Sequence, residues 1–129
     1  MKLHQSSILA QPPVVELPCA AGTEYVPGQC LVITDGAAAV ATGTTVPTHI
    51  CYGKKTGAEG ESVHAIRITD DMTFSAQLAA AGSALVVGDK VNIYTDGMKV
   101  TGATGAVATI VGFGTTEKAA GDEVLVKLK

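Results

Sequence analysis

The apolar residues of this 129-residue chain fall in short runs, often alternating with polar ones and broken by glycine turns, which is the pattern of β-strands. Cys30-Leu31-Val32-Ile33 is a short apolar run, and Thr34-Asp35-Gly36 after it is a hairpin turn signal. Residues 37–41 read as the return strand. His49-Ile50-Cys51-Tyr52 is another strand, ended by Gly53, and residues 54–60 read as a polar loop. Residues 62–69 read as a strand with His64, Ile66 and Ile68 on one face. Met72, Phe74, Ala76 and Leu78 alternate and predict a further extended segment. A short helix over residues 76–81 competes, because alanine is the best helix former.

Residues 1–27 have a different character. Pro12, Pro13, Pro18 and Pro27 are four of the 5 prolines. Each removes a backbone donor and fixes φ, so this stretch is neither a central strand nor a helix. Its apolar residues Ile8, Leu9, Val14, Val15 and Leu17 are too many for a free linker. The expectation is an extended N-terminal arm lying on a surface, either of its own domain or of a partner.

The second part of the chain repeats the first. Gly28-Gln29-Cys30-Leu31-Val32-Ile33-Thr34-Asp35-Gly36 matches the segment from Gly88 to Gly97, with Tyr94 as an insertion. The offset is 60 at the first glycine (88 minus 28) and 61 at the turn glycine (97 minus 36). His49-Ile50-Cys51-Tyr52-Gly53 matches Ile110-Val111-Gly112-Phe113-Gly114 at 61 (110 minus 49), and Gly60-Glu61-Ser62-Val63 matches Gly121-Asp122-Glu123-Val124. One unit would leave an apolar face exposed, and two packed together would bury it. The predicted domain is therefore residues 28–129, with halves 28–69 and 88–129 joined by 70–87. The predicted fold is an all-β small barrel or sandwich with an internal pseudo-twofold duplication.

Composition narrows the function. The net charge of −3 and pI near 5.5 argue against a nucleic-acid surface, which is usually basic on one face. No apolar stretch approaches the ~20 residues that span a membrane as a helix, and residues 1–7 lack the apolar core of a secretory signal. The 3 cysteines, Cys19, Cys30 and Cys51, have no zinc or redox spacing and read as buried free thiols of a reducing compartment.

The residues offer little for catalysis. His4, His49 and His64 have no carboxylate or thiol at metal-ligand spacing. Asp70 and Asp71 are adjacent, so on an extended chain they point to opposite sides. Gly102-Ala103-Thr104-Gly105 lacks the Lys-Ser or Lys-Thr of a phosphate loop, and no serine lies in a Gly-x-Ser-x-Gly elbow. Neither an enzyme activity nor a cofactor nor a metal is expected. Asp96-Gly97-Met98-Lys99-Val100 resembles the hairpin of biotinyl and lipoyl carrier domains, which present a modified lysine; Gly97 and Asp96 depart from the small residue and Glu usual before that pair. A carrier domain with Lys99 modified is an alternative reading. A tail- or fibre-type binding module is another, weakened as a sugar binder by having only Tyr25, Tyr52 and Tyr94 as platforms.

A broader resemblance runs from about Pro12 to the C-terminus. Thr42-Gly43-Thr44-Thr45-Val46-Pro47-Thr48-His49-Ile50, followed by Gly60 to Ile68 with its Ile66-Arg67-Ile68, is similar to head-decoration (capsid cement) proteins of tailed bacteriophages. Leu85-Val86-Val87-Gly88-Asp89-Lys90-Val91 through Thr95-Asp96-Gly97-Met98-Lys99-Val100-Thr101 looks like their Val-Gly-Asp-Lys-Val hairpin, and residues 105–112 look like their next strand. The resemblance implies a β-tulip-like body and a structural virion protein, made in the host cytoplasm, that binds the outer capsid surface and stabilises it. Its partners would be the major capsid protein and neighbouring copies of itself, as a homotrimer or else a dimer. Ile8, Leu9, Pro12, Pro13, Val14 and Val15 are the expected contacts, and deleting residues 2–15 is expected to abolish capsid binding while leaving the body folded.

Overall fold

A computed structural model describes residues 1–5, 12–53, 55–102 and 107–128. Every regular element among them is a strand: β1 (Lys2–Gln5), β2 (Val14–Pro18), β3 (Glu24–Tyr25), β4 (Cys30–Thr34), β5 (Ala37–Val40), β6 (His49–Cys51), β7 (Lys55–Thr56), β8 (Ser62–Arg67), β9 (Thr73–Gln77), β10 (Lys90–Ile93), β11 (Val100–Thr101), β12 (Ala108–Phe113) and β13 (Glu123–Lys127). The alternation of Met72, Phe74, Ala76 and Leu78 resolves as β9 and its continuation, so the strand reading of that segment holds over the helical one.

Two sheets carry the fold. One has the order β2-β8-β6-β4-β5, the other β1-β9-β13-β12-β10-β11. Apart from β1, the two orders are the same list of strands written twice. Isolated parallel bridges, Cys19 to Ala38 and Leu78 to Val100, join the first and last strand of each five-strand set. Each set therefore rolls toward a small barrel.

The duplication extends to single hydrogen bonds. Gly28 N donates to Cys51 O at 2.9 Å and Gly88 N to Ile110 O at 2.8 Å. Cys51 N donates to Gln29 O at 2.8 Å and Ile110 N to Asp89 O at 2.9 Å. Cys19 N donates to Glu61 O at 2.9 Å and Leu78 N to Asp122 O at 3.0 Å. Gly28 and Gly88 both hold φ above +90°, where a Cβ is disfavoured, at 92° and 97°.

These pairs correct the alignment read from sequence. Cys51 corresponds to Ile110, an offset of 59 (110 minus 51), where the sequence match had Ile50 two residues out of step with Val111 at 61. A slip of two keeps every side chain on its own face, so the apolar pattern cannot detect it. The ladders also place β2 and β9 as equivalents: Leu17 pairs with Val63 and Ala76 with Val124. Each half thus gains a strand that the expected boundaries left outside it, β2 from residues 1–27 and β9 from residues 70–87. β1 and the short β3–β7 pair have no counterpart strands among the described residues.

Inside the first half, Leu17, Tyr25, Leu31, Cys51, Val63 and Ala65 form one cluster. The rest of the core is shared: Cys30, Ile50, Ile66 and Ile68 of the first half pack with Phe74, Ile93, Ile110 and Val126 of the second. β8 is therefore buried on both faces over part of its length. Val63 and Ala65 point into the first half, Ile66 and Ile68 face the second, and His64 stays in solvent. Backbone bonds also tie the halves: Gly43 and Ile93 exchange N–H···O bonds of 2.8 and 3.1 Å, and Cys30 N donates to Gly97 O at 2.7 Å.

Candidate interaction surface

Of the expected contact residues, Val14 and Val15 begin β2 and Pro12 and Pro13 lie just before it. Ile8 and Leu9 fall outside the described residues. Pro12 is buried, Pro13 and Val14 are exposed, and Val15 is half-buried against the first-half cluster. β2 is an edge strand bonded to β8, with Val14 opposite Ile66 and Glu16 opposite His64. Prolines at positions 13 and 18 fit this place, because an edge strand has amides that need no ladder partner.

β1 has a structural role that the sequence did not reveal. It pairs with β9, with Leu3 opposite Phe74, and Phe74 is 1 % exposed. Met1 is buried, its ammonium donates to Gly28 O, and its Sδ lies 3.7 Å from Cys30 Sγ. Deleting residues 2–15 would remove β1 and the first two residues of β2, so it would not leave the body intact as expected.

Two pairs among the other exposed apolar residues repeat between the halves, whereas Ile33 is exposed and its counterpart Ile93 is buried. Val26 and Val86 precede equivalent strands, and each amide is capped by the side chain three residues on, Gln29 Oε1 at 2.8 Å and Asp89 Oδ2 at 3.0 Å. Tyr52 and Val111 follow the equivalent residues Cys51 and Ile110, with side chains turned outward where Cys51 and Ile110 turn in. All four are more than a third exposed. A groove of about 480 Å³ runs beside Tyr52, lined by Leu3, Pro27, Ile50, Ile66 and Phe74.

The titratable groups do not assemble. His49 sits on β6, its Nδ1 2.8 Å from Thr48 Oγ1, and its pKa is lowered by burial and then by Arg67 opposite it. His64 Nε2 lies 3.2 Å from Glu16 Oε1 on the outer surface. Among the described residues no group of three or more His, Cys, Asp or Glu is placed to hold a metal ion. The three thiols are free and buried, and burial pushes Cys30 up to about 12. Lys99 is half-buried in a loop whose amides, with Met98, are held by Asp96 Oδ1 at 2.8 and 3.0 Å. That loop lines a second groove with Lys2 and Gly28. The β10–β11 connection is thus longer than the two-residue turn at Asp35-Gly36, where Thr34 pairs with Ala37 directly.

No protein family, curated protein or solved structure matches this chain.

Proposed function

We propose that this chain is a structural virion protein that attaches to the outer surface of a tailed-phage capsid and stabilises it. The observation that carries the reading is the repetition of exposed apolar residues at equivalent places in both halves, Val26 with Val86 and Tyr52 with Val111. Exposed apolar positions retained in both copies of a unit suit a binding surface rather than a solvated shell. A body built twice from the same strands, with a core shared between the halves, is rigid enough to bridge subunits. Repetition over a shell lets weak single contacts sum to firm attachment. The capsid assignment itself comes from the head-decoration motifs from Thr42 to Thr101. On this reading the partners are the major capsid protein and sister copies, as a trimer in preference to a dimer, and no chemistry is required.

Electron microscopy of phage capsids with and without the added protein tests it. Extra density on the outer surface, and capsids that withstand more heat or dilution, are the expected results. Capsids that remain bare at saturating protein would reject the function. Pro13→Ser combined with Val14→Lys, two exposed changes, is expected to lower capsid occupancy at least tenfold with an unchanged unfolding midpoint.

A further inference from the structure

We infer that the outer edge of β2, at Val14, Val15 and Glu16, is an acceptor for an extended strand of a partner protein. The internal duplication carries the inference. By the β8 and β13 ladders, Val14, Val15 and Glu16 are the counterparts of Thr73, Phe74 and Ser75. On β9 those three positions are covered by the chain's own β1: Gln5 lies opposite Thr73, Leu3 opposite Phe74 and Lys2 opposite Ser75. On β2 no strand lies there among the described residues.

Exposure follows the cover. Phe74 is 1 % exposed whereas Val15 is only half-buried. Thr73 and Ser75 are half-buried whereas Val14 is 41 % exposed and the Glu16 side chain 68 %. Among the described residues the same strand position is therefore filled in one half and open in the other. An uncovered edge presents a row of backbone donors and acceptors, and a peptide in extended form satisfies them by strand addition. Pro13 and Pro18 bracket the edge, so its register is confined to the few residues between them.

The occupant is a strand with the chemistry of β1. It runs antiparallel to β2, places an apolar side chain over Val15, and carries Lys or Arg opposite Glu16, since opposite charges pair favourably across strands. Lys2-Leu3 has this order on β9. The inference rests on the proposed reading of the chain as a binding protein, but not on the partner being a capsid.

The full chain, labelled for NMR, is titrated with a synthetic peptide of residues 1–5. Saturable shifts over residues 14–16 and slowed exchange of the outward-facing Val14 and Glu16 amides are expected, with a dissociation constant on the order of millimolar. Glu16→Lys should weaken binding about three- to fivefold, the worth of an exposed pair, and a peptide with Lys2→Glu should restore it in that variant. The inference is overturned if those amides do not respond, or if only Thr73, Phe74 and Ser75 respond. Protection that grows with protein concentration without peptide also overturns it, because a second copy then occupies the edge. Peptide binding without capsid binding would reject the proposed function and leave the acceptor edge standing.

Discussion

Cys19 and Leu78 hold the same place in the two halves: each forms a parallel bridge that closes its five-strand set, Cys19 with Ala38 and Leu78 with Val100. A thiol serves in one half where a branched aliphatic chain serves in the other. Both are buried, Cys19 at 8 % and Leu78 at 1 % exposed, so the closures differ in how much apolar volume they hold. Leu78→Ala is expected to cost about 2–5 kcal/mol, the usual range for a deleted core leucine. Cys19→Ala removes one atom and should cost about 1 kcal/mol. Urea denaturation of the two variants checks the order, and equal losses would show that the bridges are not what closes the sheets.

Gly28 and Gly88 form a matched pair for a second experiment. Both require positive φ, so alanine is strained at either, by about 1–2 kcal/mol. A Cβ at Gly88 would meet nothing within 4 Å, but at Gly28 it would lie 2.8 Å from Met1 O and 2.9 Å from Met1 N. Gly28→Ala should therefore lose more stability than Gly88→Ala and also release β1. Hydrogen exchange at Lys2 and Leu3 distinguishes the two: it should quicken in Gly28→Ala alone.

Tyr25 is fully buried, and its hydroxyl is spoken for twice. It accepts from Ala20 N at 2.8 Å and donates to Ala38 O at 2.6 Å. Tyr25→Phe keeps the ring and leaves both backbone groups short of a partner. The expected loss is about 1–3 kcal/mol, read as a drop in the urea midpoint. A neutral substitution would mean that water reaches Ala38 O.

The thiols give a pH prediction. Burial raises Cys30 from 9.0 to about 12, and Cys51 is raised in the same direction. A raised pKa means that the folded chain binds its thiol protons more tightly than the unfolded chain. This contribution to stability is whole below pH 9.0 and is lost as pH climbs toward about 12. Native protein should also resist iodoacetamide at about pH 8, while urea-unfolded protein takes up three carbamidomethyl groups by intact mass. Labelling of the native chain at Cys30 would contradict its burial.

Short alternating runs and glycine turns determined the fold class from the sequence alone, because side-chain alternation and turn conformation are local properties. The duplication was legible for the same reason: the Asp-Gly turn and the turn glycines at 28 and 88 and at 60 and 121 recur near similar apolar residues. Prolines 13 and 18 placed Val14–Pro18 away from any central strand, and it lies at an edge.

Other features needed the tertiary structure. Ile50 and Cys51 were aligned two residues out of step, because the period of a strand is two and both registers keep the same faces. The resemblance of β2 to β9 lies in ladder partners that no residue-by-residue comparison of Val14-Val15-Glu16-Leu17-Pro18 with Thr73-Phe74-Ser75-Ala76-Gln77 reveals. Whether an apolar face of β8 is solvent, core or interface depends on what folds over it, so His64 and Ile66 share a face and differ in burial. The binding edge at Val14, Val15 and Glu16 belongs to this second kind. Its residues are ordinary in sequence, and only the strand β1 lying on the other half shows what is absent from theirs, since a backbone edge is defined by its neighbours and not by its side chains.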